Sequence, residues 1–242
     1  MELRNKVALV TGGAVRVGKA LSLALAAQGV RIAMHYNGSS DAAETTIAAI
    51  RELGSDAIAI RADLSQTDQV NTVMQQASDA FGPVDILVNN AAIFEPGSLT
   101  STTEANWDRH FAINLKAPFF LSQAFAAQIG PDRPGHIINI SDWQATRPGA
   151  GYMAYTLTKA AINSMTLSLA LALAPHIQVN AILLGAILPP PGQGQAYFDK
   201  LAQVIPLRHT GKPADIADAM LYLLRSDFVS GDLLTVTGGQ HL

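Results

Sequence analysis

Short apolar segments alternate with longer helical segments along this chain, and the alternation constrains the fold more than any other feature. Strands are predicted over 7–10, 30–35, 57–63, 85–90, 136–141, 177–183 and 233–237. Helices are predicted over 17–28, 41–53, 66–81, 104–129, 152–174 and 213–224. Strands that are apolar on both faces and separated by helices indicate an α/β fold, a doubly wound parallel sheet of about seven strands with helices on both faces.

Composition narrows the ligand to a small molecule. Hydrophobic residues make up 49% of the chain and charged residues 14%, so disorder is excluded. The net charge of -3 comes without a run of like charges, so neither nucleic acid nor an anionic membrane is expected. There is no cysteine, which excludes disulfides and thiolate metal ligands, and the 6 histidines are scattered, so no metal site is predicted.

The length suits one domain, predicted over 1–242. The first residues lack the long apolar core of a signal peptide, and no apolar stretch reaches the ~20 residues that span a bilayer. A cytoplasmic protein is therefore expected. The Pro/Gly-rich segment 188–195 reads LPPPGQGQ and is interpreted as a loop over the active site, within a substrate loop at about 183–212.

A glycine-rich turn, TGGAVRVG at 11–18, directly follows the first strand and opens the first helix. Gly12 would make the tight turn, and Gly18 would let the helix pack close to the sheet. Together with Arg16 and Val17, the backbone N–H groups of this helix start would hold a pyrophosphate. The alternative is an ordinary glycine-rich connection.

The second strand ends in His35, Tyr36 and Asn37, without the carboxylate that usually holds the ribose of NAD. This stretch, aided by His35 and Arg16, would instead hold a 2'-phosphate. The sequence therefore favours NADP (NADPH) over NAD.

Two further strand ends carry candidate cofactor residues, Asp63 and Leu64 after the third strand and Asn90 and Ala91 after the fourth. Ligands of such sheets bind at the carboxyl ends of the strands. Two structural alternatives remain open, because Asp63 would also cap the next helix and Asn90 would also satisfy turn backbone.

Tyr155 and Lys159 lie one helical turn apart in YTLTK. A neighbouring ammonium lowers the pKa of a phenol toward the neutral range, which would make Tyr155 a useful proton donor. The alternative for such a pair is a surface contact.

Taken together, TGGAVRVG, NNAA at 89–92, Asn114 in INLKAP and YTLTK at 155–159 resemble the short-chain dehydrogenase/reductase family over almost the whole chain. The resemblance implies a single NAD(P)-binding Rossmann-type domain that transfers hydride between a nicotinamide and a carbonyl or imine carbon. It also implies that Tyr155 moves the proton, Lys159 binds the nicotinamide ribose, Asn114 positions a water in a proton relay and Asn90 lines the cofactor. Relatives are commonly homotetramers or dimers, and the run 160–174 suits a helix-helix seam.

Three departures from the common pattern resemble the pteridine reductase branch. Asp142 stands thirteen positions before Tyr155, where the family usually has a catalytic serine, and Ser141 comes one residue too early. Arg16 replaces a glycine, and Phe94 follows NNAA. In that branch the aspartate works with the tyrosine, the phenylalanine stacks on a pterin ring and the arginine reaches toward pterin and phosphate.

Other residues leave the substrate open. Ala92 replaces a serine of that branch, Leu184 stands where a proline is expected, and Glu95 would either face the pocket or face solvent. Trp143 and Tyr152 would add aromatic walls or pack in the core. The alternatives to a pterin reductase are a generic carbonyl or 3-oxoacyl thioester reductase and, in another class, a non-catalytic NADP-binding redox sensor.

Overall fold

A parallel β-sheet of seven strands lies at the centre of the computed structural model, which describes residues 1–130, 133–190 and 194–242. The strands are β1 Val7–Val10, β2 Arg31–Tyr36, β3 Ala57–Arg61, β4 Ile86–Asn89, β5 Gly135–Asp142, β6 Ile177–Leu184 and β7 Leu233–Val236. Their order across the sheet is β3-β2-β1-β4-β5-β6-β7. The predicted α/β fold is confirmed.

Helices cover both faces of the sheet, as the strands' apolar sequences require. They are α1 Arg16–Ala26, α2 Ser40–Glu52, α3 Thr67–Phe81, α4 Glu104–Phe111, α5 Ala117–Gln128, α6 Met153–Leu173, α7 Gln195–Ala202 and α8 Pro213–Arg225. One apolar cluster joins β1 and β2 to α1, α2 and α8, and the other lies under α3, α5 and α6. None of these helices, within the part of the chain that is described, is long and apolar enough to cross a membrane.

The strand order reverses beside β1, because β2 and β3 extend the sheet on one side and β4 to β7 on the other. In such sheets the crevice at the carboxyl ends of the strands next to this switch is where ligands bind. Residues that follow β1 and β4 therefore meet those that end β5 and β6. The fold brings distant sequence motifs to one edge.

The predicted helix over 104–129 is interrupted. A π-helical turn at Ala112–Lys116 separates α4 from α5. Such turns are single insertions that occur frequently at functional sites. An i, i+4 apolar pattern does not distinguish one π turn from continuous α-helix, so the sequence could not place it.

The predicted substrate loop at 183–212 contains a helix, α7, that the sequence analysis did not expect. Residues 191–193 of the Pro/Gly-rich segment lie outside the described residues. Beyond them, Phe198 is buried, while Tyr197 is exposed. The segment is therefore partly regular structure rather than only loop.

Candidate active site

A cleft of about 1040 Å³ opens at the carboxyl edge of the sheet, beside the strand-order switch. Its walls include most of the predicted site residues: Gly12, Arg16, Val17, His35, Asn37, Asp63, Leu64, Asn90, Ala91, Phe94, Asp142, Tyr155 and Lys159. Two predicted residues, Tyr36 and Asn114, do not line it. Tyr36 instead packs against the apolar cluster under α1 and α2.

The glycine-rich turn has the close packing that its motif predicts. Gly12 has a φ of +61°, a conformation that favours glycine. A Cβ on Gly18 would lie 2.1 Å from the Gly12 carbonyl oxygen, so no side chain fits there. The N-cap of α1, Val15, offers no side-chain acceptor, which leaves the first N–H groups of the helix available to an anion.

Asn90 holds this turn from the neighbouring strand. Its amide nitrogen donates to the Thr11 carbonyl at 2.8 Å and to the Gly12 carbonyl at 3.2 Å. Thr11 Oγ1 in turn accepts from the backbone N–H groups of Asn90 and Ala91. Asn90 thus satisfies turn backbone and lines the cleft at the same time. Thr11 was missed in the sequence, where a buried threonine at a strand end carries no distinct signal.

His35 is hydrogen-bonded to the same turn and lines the cleft, and its contact with a 2'-phosphate stays a prediction. Its Nδ1 accepts from the Gly12 N–H at 3.2 Å, and its Nε2 lies 3.1 Å from the Ala62 carbonyl oxygen. Because the Gly12 N–H only donates, Nδ1 is the acceptor and Nε2 carries the proton. Burial lowers the pKa of His35, which keeps this neutral tautomer.

Asp63 does not cap α3, whose N-cap is Gln66 without a side-chain hydrogen bond, and its contact with a cofactor stays a prediction. Its Oδ1 accepts from the Ser65 N–H at 2.9 Å, which closes a turn before α3. Its side chain also lines the cleft, together with the neighbouring Leu64.

At the end of β5, Asp142 and Tyr155 form a direct pair. The Tyr155 hydroxyl donates to Asp142 Oδ2 at 2.9 Å, and the Gln144 N–H donates to Asp142 Oδ1 at 2.8 Å. Burial raises the pKa of Asp142 despite these hydrogen bonds, and burial together with the Asp142 charge raises the pKa of Tyr155 well above its ordinary value. The expected lowering of the Tyr155 pKa by Lys159 is therefore wrong for this state of the cleft.

Lys159 is buried and donates to the Ile140 carbonyl at 2.8 Å. Its Nζ lies 5.7 Å from the centre of the Tyr155 ring. Burial lowers the pKa of Lys159 to about 8. The pair is not the surface contact that was the alternative for this spacing, because both residues line the cleft.

Ser141 does not replace the missing catalytic serine. Its hydroxyl is buried and donates to Asn163 Oδ1 at 2.6 Å, on the other side of β5 from Asp142. Both residues line the cleft, but successive side chains of a strand point to opposite faces, and the side chain that meets the Tyr155 hydroxyl is that of Asp142.

Phe94 packs against two tyrosines of α6 and its N-cap. Its ring stacks on Tyr152 at 4.2 Å between centroids and 6° between planes, and meets the edge of Tyr155 at 4.7 Å and 80°. The following loop is fixed because the Gly97 N–H donates to the Gly151 carbonyl at 2.8 Å and the Met153 N–H donates to the Gly97 carbonyl at 2.8 Å. One wall of the cleft is therefore aromatic and held in place.

Asn114 supports this wall instead of facing the cleft. Its Oδ1 accepts from the Ile93 N–H at 2.9 Å, and its Nδ2 donates to the Ile93 carbonyl at 3.0 Å and to Thr158 Oγ1 at 3.3 Å. Both ends of the amide therefore hold the backbone at Ile93, and the role of Asn114 in positioning a relay water stays a prediction. Its structural effect is to fix the backbone just before Phe94.

Glu95 faces away from the cleft. Its Oε1 pairs with Arg109 at 2.5 Å, and its Oε2 accepts from Asn106 at 3.1 Å. It is not among the residues that line the cleft. Of the two positions expected for Glu95, facing the pocket is therefore wrong.

Arg16 has a φ of +53°, a conformation that costs a residue with a Cβ about 1–2 kcal/mol. Its guanidinium donates to the Pro189 carbonyl at 2.9 Å, so it connects the glycine-rich turn to the predicted substrate loop. This contact was not foreseen in the sequence.

The end of the cleft away from the glycine-rich turn is largely apolar. Its walls come from the turn after β5, from α7 and the residues after it, and from the last residues of the sequence. They comprise Trp143, Gln144, Arg147, Tyr197, Phe198, Leu201, Val204, Pro206, Gly239, Gln240 and Leu242. The last residues of the sequence thus line the cleft of their own chain.

Among the described residues, no group of three or more His, Asp or Glu side chains could hold a metal ion.

Comparison with known proteins identifies full-length relatives. Residues 13–241 match the family model described as enoyl-(acyl carrier protein) reductase. The 3-oxoacyl-[acyl-carrier-protein] reductase FabG of Staphylococcus epidermidis is 32% identical over 243 residues, which cover 98% of this chain and 100% of the relative.

Two solved structures are similar over the whole chain. FolM alternative dihydrofolate reductase 1 from Brucella canis, in complex with NADP, has a TM-score of 0.93 and 35% identity and covers 100% of this chain and 96% of its own. A short-chain dehydrogenase/reductase from Serratia marcescens has a TM-score of 0.92 and 32% identity and covers 100% of both chains.

Proposed function

The chain belongs to the short-chain dehydrogenase/reductase family, and from that premise we propose that it is an NADPH-dependent reductase of a flat, pterin-like heterocycle. The observation that carries the substrate class is the pairing of Asp142 with Tyr155 beside the ring of Phe94. The full-length similarity to FolM alternative dihydrofolate reductase 1, itself solved with NADP, supports it.

The cleft fits a dinucleotide. The close approach of Gly18 to Gly12, which no side chain could share, and the uncapped start of α1 make a site for a pyrophosphate. Asp63, Asn90 and Asn37 would line the rest of the nucleotide, and the absence of a carboxylate after β2 favours the 2'-phosphate of NADP. Lys159 would hold the nicotinamide ribose.

When bound, the reduced nicotinamide supplies a hydride from its C4 to a C=N or C=O carbon. The protein must then supply one proton to the adjacent nitrogen or oxygen. Tyr155 is the donor, since its raised pKa keeps the phenol protonated at neutral pH. Asp142, whose pKa is also raised, lies 2.9 Å from that hydroxyl and restores its proton from solvent.

Phe94 and Asp142 match two features of a pterin. The aromatic wall offers a face for a planar ring, and the carboxylate accepts from ring N–H groups or, when protonated, donates to a ring nitrogen. Because Tyr152 already covers one face of Phe94 at 4.2 Å, the heterocycle would approach Phe94 beside the Tyr155 ring, which lies 4.7 Å away.

A 3-oxoacyl thioester is the second candidate substrate. It is supported by the identity of 32% with FabG over nearly the whole chain and by the matching family model. Tyr155 would serve it equally as proton donor, but Asp142 would stand where such a reductase is expected to use a serine hydroxyl.

We also propose a cytoplasmic homo-oligomer, a dimer or tetramer, built from one domain over 1–242. Large apolar side chains are exposed on α5 and α6, where Phe119 is 45%, Leu167 45% and Leu171 84% accessible. A second copy would cover them. Sedimentation velocity of the wild type and of Leu171→Glu would test this arrangement.

The substrate is tested by following NADPH oxidation with 7,8-dihydrobiopterin, dihydrofolate, simple ketones and an acetoacetyl thioester. Asp142→Ser and Tyr155→Phe are measured in parallel. We expect pterin turnover that both variants lose. Thioester or ketone turnover without pterin activity, especially if Asp142→Ser increases it, would replace the pterin proposal with the thioester or carbonyl reductase. Tight NADPH binding without turnover of any substrate would point to a redox sensor.

A further inference from the structure

We call the part of the cleft lined by the turn after β5, by α7 and by the last residues of the sequence its substrate end. One cation lies in this largely apolar wall. Arg147 lies there beside Trp143, Leu201, Val204 and Leu242. The other two cations of the lining are engaged elsewhere, since Arg16 donates to Pro189 and Lys159 to Ile140.

The position of Arg147 is fixed relative to the catalytic pair. A 3-10 turn, Trp143–Ala145, follows Asp142 directly, and Asp142 caps it because its Oδ1 accepts from the Gln144 N–H at 2.8 Å. The Arg147 N–H then donates to the Trp143 carbonyl at 3.3 Å. One short hydrogen-bonded turn therefore connects the proton-donating site to the Arg147 backbone.

The guanidinium of Arg147 has unused binding capacity. Its Nη1 donates to the Leu242 backbone oxygen at 2.6 Å, the one hydrogen bond that the described residues give to this guanidinium. The ion pairs within the described residues involve Lys6, Arg109 and Arg133, and none includes Arg147. An arginine has five N–H donors in a fork that fits carboxylate and phosphate oxygens, so most of its donors remain for a ligand.

We propose that Arg147 binds an anionic group, a carboxylate or a phosphate, that the substrate carries away from its reducible bond. This inference rests on the proposed reductase function and specifies its substrate class: a reducible head at Asp142 and Tyr155, and an anionic tail at the rim. A glutamyl carboxylate on a pterin and a phosphate on a thioester carrier share this chemistry, and the two sources are separated by the ligands tested.

Binding is measured first, because it does not depend on turnover. Calorimetry on the NADP⁺-loaded protein would compare folic acid with biopterin. It would also compare the acetoacetyl thioester of coenzyme A with the acetoacetyl thioester of N-acetylcysteamine. Within each pair the head group is shared, and only one member is anionic at the tail. The variants are Arg147→Gln, Arg147→Lys and, as a matched control on the far side of the molecule, Arg225→Gln.

In whichever ligand pair the protein binds, we expect Arg147→Gln to raise the Kd of the anionic ligand about ten-fold or more, since a hydrogen bond to a charged group is lost. The neutral member should change less than two-fold, Arg147→Lys should retain part of the preference, and Arg225→Gln should match wild type. In steady-state assays the same selectivity should appear in KM and leave kcat unchanged. Higher ionic strength should narrow the preference.

Two outcomes would overturn the inference. Equal weakening of the anionic and neutral ligands would mean that Arg147 only secures Leu242, and an unchanged Kd for every anionic ligand would mean that it binds none. Failure of the proposed function looks different, because anionic ligands would then bind in an Arg147-dependent way without being reduced.

Discussion

The hydroxyl of Tyr155 donates a hydrogen bond of 2.9 Å to the carboxylate of Asp142, and this bond determines where the proton of the site resides. Burial and the negative charge of Asp142 both raise the pKa of Tyr155, so the phenol keeps its proton. A reduction consumes one proton. The pair therefore stores the proton that the reaction needs.

Replacing Asp142 should make Tyr155 more acidic. Asp142→Asn removes the charge that disfavours the phenolate while it keeps a similar shape, so the Tyr155 pKa should fall toward its ordinary value. Tyrosinate absorbance as a function of pH measures this shift in pKa, and the Tyr155→Phe spectrum identifies the signal.

In Tyr155→Phe we expect kcat to drop by about 100-fold or more, in the range of general acid catalysis.

A Tyr155 pKa that rises or stays constant in Asp142→Asn would contradict this assignment. Asp63→Asn is a control carboxylate change in the same cleft, and it should leave the Tyr155 titration unaltered.

The fold could be predicted from sequence because its signal is local. The apolar strands and the glycines that follow the helices, Gly29, Gly54 and Gly82, each report on a few neighbouring residues, and all three glycines have φ near +80° as such helix ends require. The departure of Asp142 from the family's serine was equally visible in the sequence.

The partners of the site residues were not visible, because they come from distant segments. His35 binds the turn at Gly12, Asn114 binds Ile93, and Arg16 binds Pro189. Each of these side chains can form several hydrogen bonds, and the neighbouring residues in the sequence do not identify its partner. The predicted lowering of the Tyr155 pKa was wrong for the same reason. The spacing indicated Lys159 as a neighbour but not the burial that raises the pKa.

Gly18→Ala should disrupt the nucleotide site. Its Cβ would stand 2.1 Å from the Gly12 carbonyl oxygen and 2.6 Å from Asn90 Nδ2, so the turn must move. Overpacking of this kind costs about 1–3 kcal/mol, and NADPH affinity should fall together with thermal stability. Gly130→Ala, where nothing lies within 4 Å of the new Cβ, is the control and should behave as wild type. Normal NADPH binding by Gly18→Ala would show that the turn is more adaptable than its packing indicates.

Acid should destabilise the protein through His136, a fully buried residue of β5. Burial lowers its pKa from 6.5 to about 4 in the folded chain. Between these pH values the unfolded chain binds the proton and the folded chain does not, so stability is lost as pH falls from 6.5 toward 4. The full shift corresponds to about 3 kcal/mol in the free energy of unfolding.

Denaturant unfolding of wild type and His136→Gln at several pH values checks this prediction. The variant should be less stable at neutral pH, yet its stability should fall less steeply below pH 6.5. Parallel pH dependences in the two proteins would assign the acid sensitivity to other groups, His35 and the carboxylates among them.

Replacing His35 should change the affinity for the cofactor and leave the rate of the reaction nearly unchanged. Its neutral Nδ1 accepts from the Gly12 N–H at 3.2 Å, and its Nε2 N–H donates to Ala62, so the ring joins β2, β3 and the glycine-rich turn. His35→Phe would leave the Gly12 donor without this partner, and an unsatisfied buried donor costs about 1–3 kcal/mol. We expect the NADPH Kd to rise about ten-fold while kcat at saturating NADPH stays within two-fold. His35→Asn offers an acceptor and a donor of similar spacing and should recover part of the affinity. A lowered kcat at saturating NADPH, or an unchanged Kd in His35→Phe, would show that the turn holds its shape without His35, and Asn90 and Thr11 alone would then account for its order.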